Sequence, residues 1–373
     1  MAATPSPGDD LARLRLARTE GIGPATFRRL LARHGSARAA LEALPGHAAR
    51  SGRSLTPYPA AQAEREMAAL TMLGGRFLFL GSPLYPPLLS LLEDAPPALA
   101  VLGNPALLAS RQIGLVGARS ASAAGRRMAE QLARDLAGAG LAITSGLARG
   151  IDAAAHEGAL AAPGPTIAVV AGGLDEPYPP ENAPLQARIV AEGGAVVAEA
   201  PLGTAPLARH FPRRNRIVAG LVLGVVVVEA APKSGSLITA RLALEAGREV
   251  FAVPGNPLDP RARGGNDLIR QGAHLTETAE DVLQFLPEAP RDLPLFAPRN
   301  TPETQPEPRA EAPSPPGEPS KVLELIGTTP VAVDDLVRRC QLSAPSVQAI
   351  LLDLELSGLV ETLPGNRVAR SLS

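Results

Sequence analysis

Between residues 112 and 253 the chain repeats one rhythm: a short run of valine, isoleucine, leucine and alanine, a turn, then a stretch long enough for a helix. The runs are "QIGLVGAR", "LAITSGLA", "TIAVVAGGL", "AVVAEA", "GVVVVEA" and "EVFAVPG"; between them lie stretches such as "SAAGRRMAEQLARDLAGAG" and "GIDAAAHEGALAA". A strand that is apolar along its whole length cannot leave one face in water, so both faces of its sheet must be covered. Crossover helices of ten or more residues provide that cover and make neighbouring strands parallel. The rhythm predicts an α/β chain with a doubly wound sheet. In such sheets ligands bind beyond the carboxyl ends of the strands, where the connecting loops gather.

The flanks follow other patterns. Residues 1–72 carry apolar positions at three- and four-residue spacings, interrupted by "GIGP". That predicts a small helical domain of the SAM or helix-hairpin-helix type. Its glycine-bounded turn either offers backbone N–H groups to a phosphate or only joins two packed helices. Residues 73–286 form the sheet domain, of extended Rossmann-like type. Residues 287–320 hold 11 prolines in 34 positions and read as an extended linker. Residues 321–373 regain periodicity as three helices and a hairpin with a Pro-Gly-Asn turn, the pattern of a winged helix. Such domains often bind DNA, but this one has five basic and six acidic residues, so a protein-contact or structural role competes with duplex reading.

Composition removes several classes of function. No apolar run in the 373 residues reaches the length of a membrane span, and the N-terminus lacks the basic-then-apolar pattern of a signal peptide. A lone cysteine, Cys340, allows neither an intrachain disulfide nor a Cys-rich metal site, and the cytoplasm is the expected compartment. His34, His47, His156, His210 and His274 are scattered without metal-ligand spacing. There is no GxxxxGK[ST] and no GxSxG, and "GLVGARSASAAG" is not GxGxxG. No cofactor or metal is expected.

What remains is a local charge. "RHFPRRNR", residues 209–216, holds four arginines in a chain whose net charge is −1. Of the 36 basic residues, 34 are arginine, so a GC-rich codon pool explains the average arginine; Lys233 stands out against that background. The loops at the strand ends add glycine and serine beside cations. "GARSAS" brings Arg119, Ser120 and Ser122, "SGLARGID" brings Ser145 and Gly146, and "APKSGSLITA" brings Lys233, Ser234 and Ser236; "GGNDLIR" opens a later helix with Asn266. Helix N-termini rich in glycine and serine, with cations beside them, form an anion-binding edge. One mononucleotide needs one phosphate cradle, and this edge exceeds that need, so a run of phosphates fits better. Phe211 offers a stacking face to an unpaired base, and Asn215 a hydrogen-bonding group. The bland alternative is a helix start with a solvated basic face and Phe211 in the core.

Read together, "YPPLLSLLEDAPPALAVLGN", "GLVGARSAS", "ITSGLARGIDAAAHEGAL", "TIAVVAGGLDEPYPPEN", "HFPRRNRIVAGL", "KSGSLITARLALEAGREVFAVPG" and "GGNDLIRQGA" resemble, in order and spacing, the DNA-processing protein A family (DprA/Smf). The resemblance covers roughly residues 74–277, and the flanks look like that family's variable N-terminal helical domain and C-terminal winged helix. It implies a cytoplasmic mediator of natural transformation (competence) and DNA recombination that binds single-stranded DNA. Such a mediator loads the RecA recombinase, displaces single-strand-binding protein, forms a homodimer through the Rossmann-like domain and performs no catalysis. Carried over by position, the family's DNA pocket falls on Arg119, Ser145, Gly146, Phe211, Arg214, Asn215, Arg216, Lys233, Ser234 and Ser236, whereas Arg213 falls where the family varies. The rival reading is a nucleotide-binding hydrolase of the lysine-decarboxylase-like Rossmann family. That family carries its acidic residue in a Pro-Gly-Gly-x-Gly-Thr loop, and the corresponding loop here has Lys233 and no glutamate before Glu245. A partner-binding scaffold that never touches DNA leaves the charge at 209–216 unexplained.

Overall fold

The structure is a computed structural model of the chain that describes residues 7–51, 55–162, 164–287, 318–340, 342–363 and 366–371. Residues 64–287 belong to one compact unit; the helices before residue 63 and the elements from residue 318 onward belong to another.

The chain begins with α1 (Pro7–Arg18), α2 (Pro24–His34) and α3 (Ala37–Ser51). The "GIGP" turn works as its residue types dictate: Gly23 is the extended N-cap of α2 and Pro24 supplies the preset φ of its first turn. Phe27, Leu30 and Leu44 are fully buried between these helices. After α4 (Ala60–Met72) come β1 (Arg76–Phe79), the short α5 (Pro87–Ser90) and β2 (Ala98–Gly103).

The predicted alternation then unfolds in order: β3 (Gln112–Val116), α6 (Ala123–Gly138), β4 (Ala142–Ser145), α7 (Ile151–Ala161), β5 (Thr166–Val170), α8 (Ala183–Ala191), β6 (Ala195–Ala198), α9 (His210–Leu221), β7 (Gly224–Val227), α10 (Gly235–Glu245), β8 (Glu249–Ala252), α11 (Arg263–Arg270), β9 (His274–Leu275) and α12 (Ala279–Leu283). Among the described residues these strands form one sheet in the order β1-β2-β6-β5-β4-β3-β7-β8-β9. All pairs from β6 to β9 are parallel. At the other edge β1, β2 and β6 pair antiparallel, which the apolar rhythm did not announce. The cause is the connection: four helical residues in α5 cannot carry the chain back over the sheet, so β2 returns beside β1 in the opposite sense.

Every residue of β3 and β5 is buried, as a sheet covered on both faces requires. The spacing Ala129, Leu132, Ala133, Leu136 and Ala137 turns one face of α6 onto Ile113, Leu115 and Ile143. Strands β3 to β6 step one way and β7 to β9 step the other from β3, which puts the topological switch point between β3 and β7.

The C-terminal part is a winged helix of α13 (Glu318–Glu324), β10 (Val331–Ala332), α14 (Val333–Cys340), α15 (Ala344–Leu356), β11 (Val360–Leu363) and β12 (Arg367–Arg370), closed over Ile326, Leu336, Val347, Leu351 and Val360. The proline-rich linker lies outside the described residues except at its ends, as do Pro364 and Gly365 of the hairpin turn; Asn366 takes a left-handed φ of 53°. Among the described residues no helix is long and apolar enough to cross a membrane.

Candidate nucleic-acid interface

The carboxyl ends of β3, β4 and β5 open onto a cavity of about 230 Å³ lined by Arg119, Gly146, Arg149, Gly172, Tyr178 and Phe211, among others. A shallower hollow of about 490 Å³ adjoins it, sharing Arg119 and Arg149 and adding Arg126. The guanidinium of exposed Arg119 lies over the Phe211 ring, 4.8 Å from its centroid, and the Tyr178 ring meets Phe211 edge-on at 5.8 Å. A half-buried aromatic ring between a cation and a second ring is a surface on which a flat base can stack while its phosphate meets Arg119. Lys233 is exposed and holds a φ of 66°, a left-handed conformation that costs a lysine about 1–2 kcal/mol.

The basic segment 209–216 divides once it becomes α9. Arg214 lies on the inner face with Ile217, Val218 and Leu221, and is only 7% exposed. Its Nη1 donates to the carbonyl of Gly146, in a short contact, and to that of Val169 at 2.7 Å; its Nε donates to Asn215 Oδ1 at 3.1 Å. The guanidinium crosses directly over Gly146, where a Cβ would lie 1.7 Å from Nη1, so any side chain there would have to displace the buried Arg214 head. Buried Asp152 accepts from the N–H groups of Gly146 and Ala148 at 3.2 and 3.4 Å. Burial pushes its carboxyl above the usual range and pulls the Arg214 guanidinium below its own, and their mutual attraction opposes both shifts. Asn215 Nδ2 donates to Gly235 O at 3.2 Å and ties α9 to the start of α10. Arg216 is paired with Glu199 at 2.6 Å and Asp94 at 3.4 Å.

These three residues therefore build the wall from inside and do not line it. Arg214 and Arg216, which the resemblance places in the pocket, are buried and 12% exposed, respectively, whereas Arg213, which it ranks lower, is exposed, as is Arg209. Several other residues that the sequence suggests for binding are likewise hydrogen-bonded within the fold. Ser145 is buried and donates to Leu115 O at 2.6 Å. Ser122 caps α6, its hydroxyl accepting from Gly125 N at 2.8 Å, and both its N–H and its hydroxyl donate to Glu229. Ser234 and Ser236 bond one another at 2.8 Å at the head of α10. Asn266 clasps both backbone groups of Gly255, at 2.9 and 3.1 Å. Arg119, Phe211 and Lys233 are presented at the surface or to the cavity.

Tyr178, Arg149, Asp152 and Glu229 were missed by sequence reading. Tyr178 had a signal, an aromatic beside two prolines in the loop after a buried strand, "GGLDEPYPP". Glu229 had none, because its partner lies 107 residues away.

A family model described as DNA recombination-mediator protein A matches residues 76–287, the whole sheet domain. The chain belongs to that family. Two further models, a DprA-like N-terminal HHH domain and a DprA winged helix domain, match residues 7–69 and 305–366. The chain is 39% identical to Protein Smf of Escherichia coli over 326 residues, covering 86% of this chain and 84% of that one. It is 44% identical to the DNA processing protein DprA of Bacillus subtilis over 225 residues, covering 60% and 75%. The crystal structure of DprA from Streptococcus pneumoniae superposes with a TM-score of 0.63 at 33% identity, over 76% of this chain and 99% of that one. DprA from Helicobacter pylori, described for its single-stranded DNA binding mode, gives 0.50 at 29%, over 56% and 94%. The chain is thus a member of a family of DNA-processing recombination mediators.

Proposed function

We propose that the chain binds single-stranded DNA along the strand-end edge of the sheet domain, with phosphates on Arg119, Arg213 and Lys233 and a base against Phe211 and Tyr178. The observation that carries this reading is Arg119 held over Phe211 at the mouth of the cavity, a cation and a stacking face in one place. The Helicobacter pylori relative, whose reported mode is single-strand binding, adds support. Ser122, Ser145, Gly146, Arg214, Asn215, Arg216, Ser234, Ser236 and Asn266 hold the loops in place. On the strand so bound the chain loads RecA against single-strand-binding protein during natural transformation and recombination. It acts in the cytoplasm, as a homodimer through the sheet domain and without catalysis.

The test is fluorescence anisotropy with single- and double-stranded oligonucleotides. Phe211→Ala is expected to weaken single-strand binding by about 1–3 kcal/mol, the worth of one stacked base. Equal affinity of native, Arg119→Ala and Phe211→Ala chains would remove the assignment. Nucleoside monophosphates incubated with the chain should stay intact; released base would favour the hydrolase.

A further inference from the structure

Doubly wound sheets usually take a ligand's phosphate at their switch point, on the N-terminus of the helix that follows the first strand there. In this chain that place is the turn from β3 into α6, and it is filled from within. Glu229 lies two residues beyond β7, the parallel neighbour of β3. Its Oε2 accepts the N–H of Ser122 at 2.9 Å and its Oε1 accepts the Ser122 hydroxyl at 2.5 Å. A Cβ at Gly125 would lie 2.5 Å from the Glu229 carboxyl carbon, so the carboxylate sits flat against the first turn of the helix. That first turn contains no acidic residue of its own. A carboxylate brought from another strand supplies the negative charge that a helix start favours.

We infer that Glu229 is a specificity-determining residue: its carboxylate occupies the phosphate position of the β3–α6 turn and bars nucleotide phosphates from it. A polyanion is thereby left to the outer edge formed by Arg119 and Lys233, and the mononucleotide mode of this fold is closed. The direction of the polyanion to the outer edge rests on the proposed single-strand binding, whereas the exclusion of phosphate by Glu229 is read out separately, with inorganic phosphate as the ligand.

The test uses the full-length chain and inorganic phosphate, titrated calorimetrically at constant ionic strength. Glu229→Ala should bind one more equivalent of phosphate than the native chain. Adding Gly125→Ala in that background should remove the extra site, because the new methyl fills the space the carboxylate left. If Glu229→Ala fails to fold in plain buffer, phosphate should restore its cooperative melting. No extra equivalent in a folded variant, an extra equivalent that survives Gly125→Ala, or no rescue of an unfolded one overturns the assignment.

Discussion

Arg214 and Arg119 share the edge of one sheet and differ in what surrounds them. Arg214→Ala would leave the carbonyls of Gly146 and Val169 without their donor and remove the stronger of the two positive charges, Arg214 and Arg119, that act on Asp152. A loss of about 3–5 kcal/mol is expected in urea unfolding, as for other broken buried charge networks. Arg119→Ala removes an exposed side chain and should shift stability by no more than about 0.5 kcal/mol while weakening strand binding. A stable Arg214→Ala chain that has lost DNA affinity would mean that Arg214 touches the nucleic acid itself. His156 offers a pH test. Thr166 donates to Ile143 O, so His156 Nδ1 donates to Thr166 Oγ1 at 2.7 Å, and burial pushes the ring from 6.5 to about 3. The folded chain therefore keeps this histidine neutral where the unfolded chain protonates it. Stability is lost as the pH falls from about 6.5 towards 3, by about 1.4 kcal/mol per pH unit from this group. His156→Gln should lose about 2 kcal/mol less than the native chain between pH 7 and 5, measured by urea unfolding at each pH. At this scale the sequence displayed the charges of "RHFPRRNR" but not their direction. With α9 starting at His210, Arg214 falls in phase with Ile217, Val218 and Leu221, and that phase decides which arginine goes inside.

The elements were legible wherever periodicity was strong. The strands from "QIGLV" to "VFAV" and the helices between them appear in the predicted order, because continuous apolar runs and 3.6-residue spacing each have one low-cost solution. The antiparallel edge was not legible, since it depends on how little helix lies between residues 80 and 97 and not on the strands themselves. The winged helix shows what pattern alone leaves out. Its third helix, α15, carries Asp353 and Glu355 against α2. Arg29 donates to Glu355 in a short contact and to Thr362 Oγ1 at 2.9 Å, and Arg33 meets Asp353 at 3.4 Å. This acidic helix face is engaged with arginines of the same chain, within one compact unit. Arg29→Glu sets a like charge against Glu355 and should release α15. Amide exchange across residues 344–356 is expected to quicken while single-strand affinity stays unchanged. Unaltered exchange would mean that these ion pairs contribute nothing to the docking, as holds for many exposed pairs.

For the molecule as a whole, a net charge of −1 gives no general attraction to DNA, so affinity has to come from a local field. The exposed cations proposed to meet phosphate are Arg119, Arg213 and Lys233; Arg126 and Arg209 are exposed nearby, and Arg149 is paired with Glu181. Each phosphate neutralised on a single strand contributes about −0.7 to the slope of log affinity against log salt, which predicts about −2 for three contacts. Arg119→Ala and Lys233→Ala should each make that slope shallower by about 0.7, and the double variant by about twice that. The winged helix, with five basic residues against six acidic, has no comparable excess to contribute. A chain ending at residue 286 is therefore expected to keep the native slope on single strands. If the slope fell on truncation and not on Arg119→Ala, the phosphate contacts would belong to the winged helix, and the strand-end edge would be left with base stacking alone.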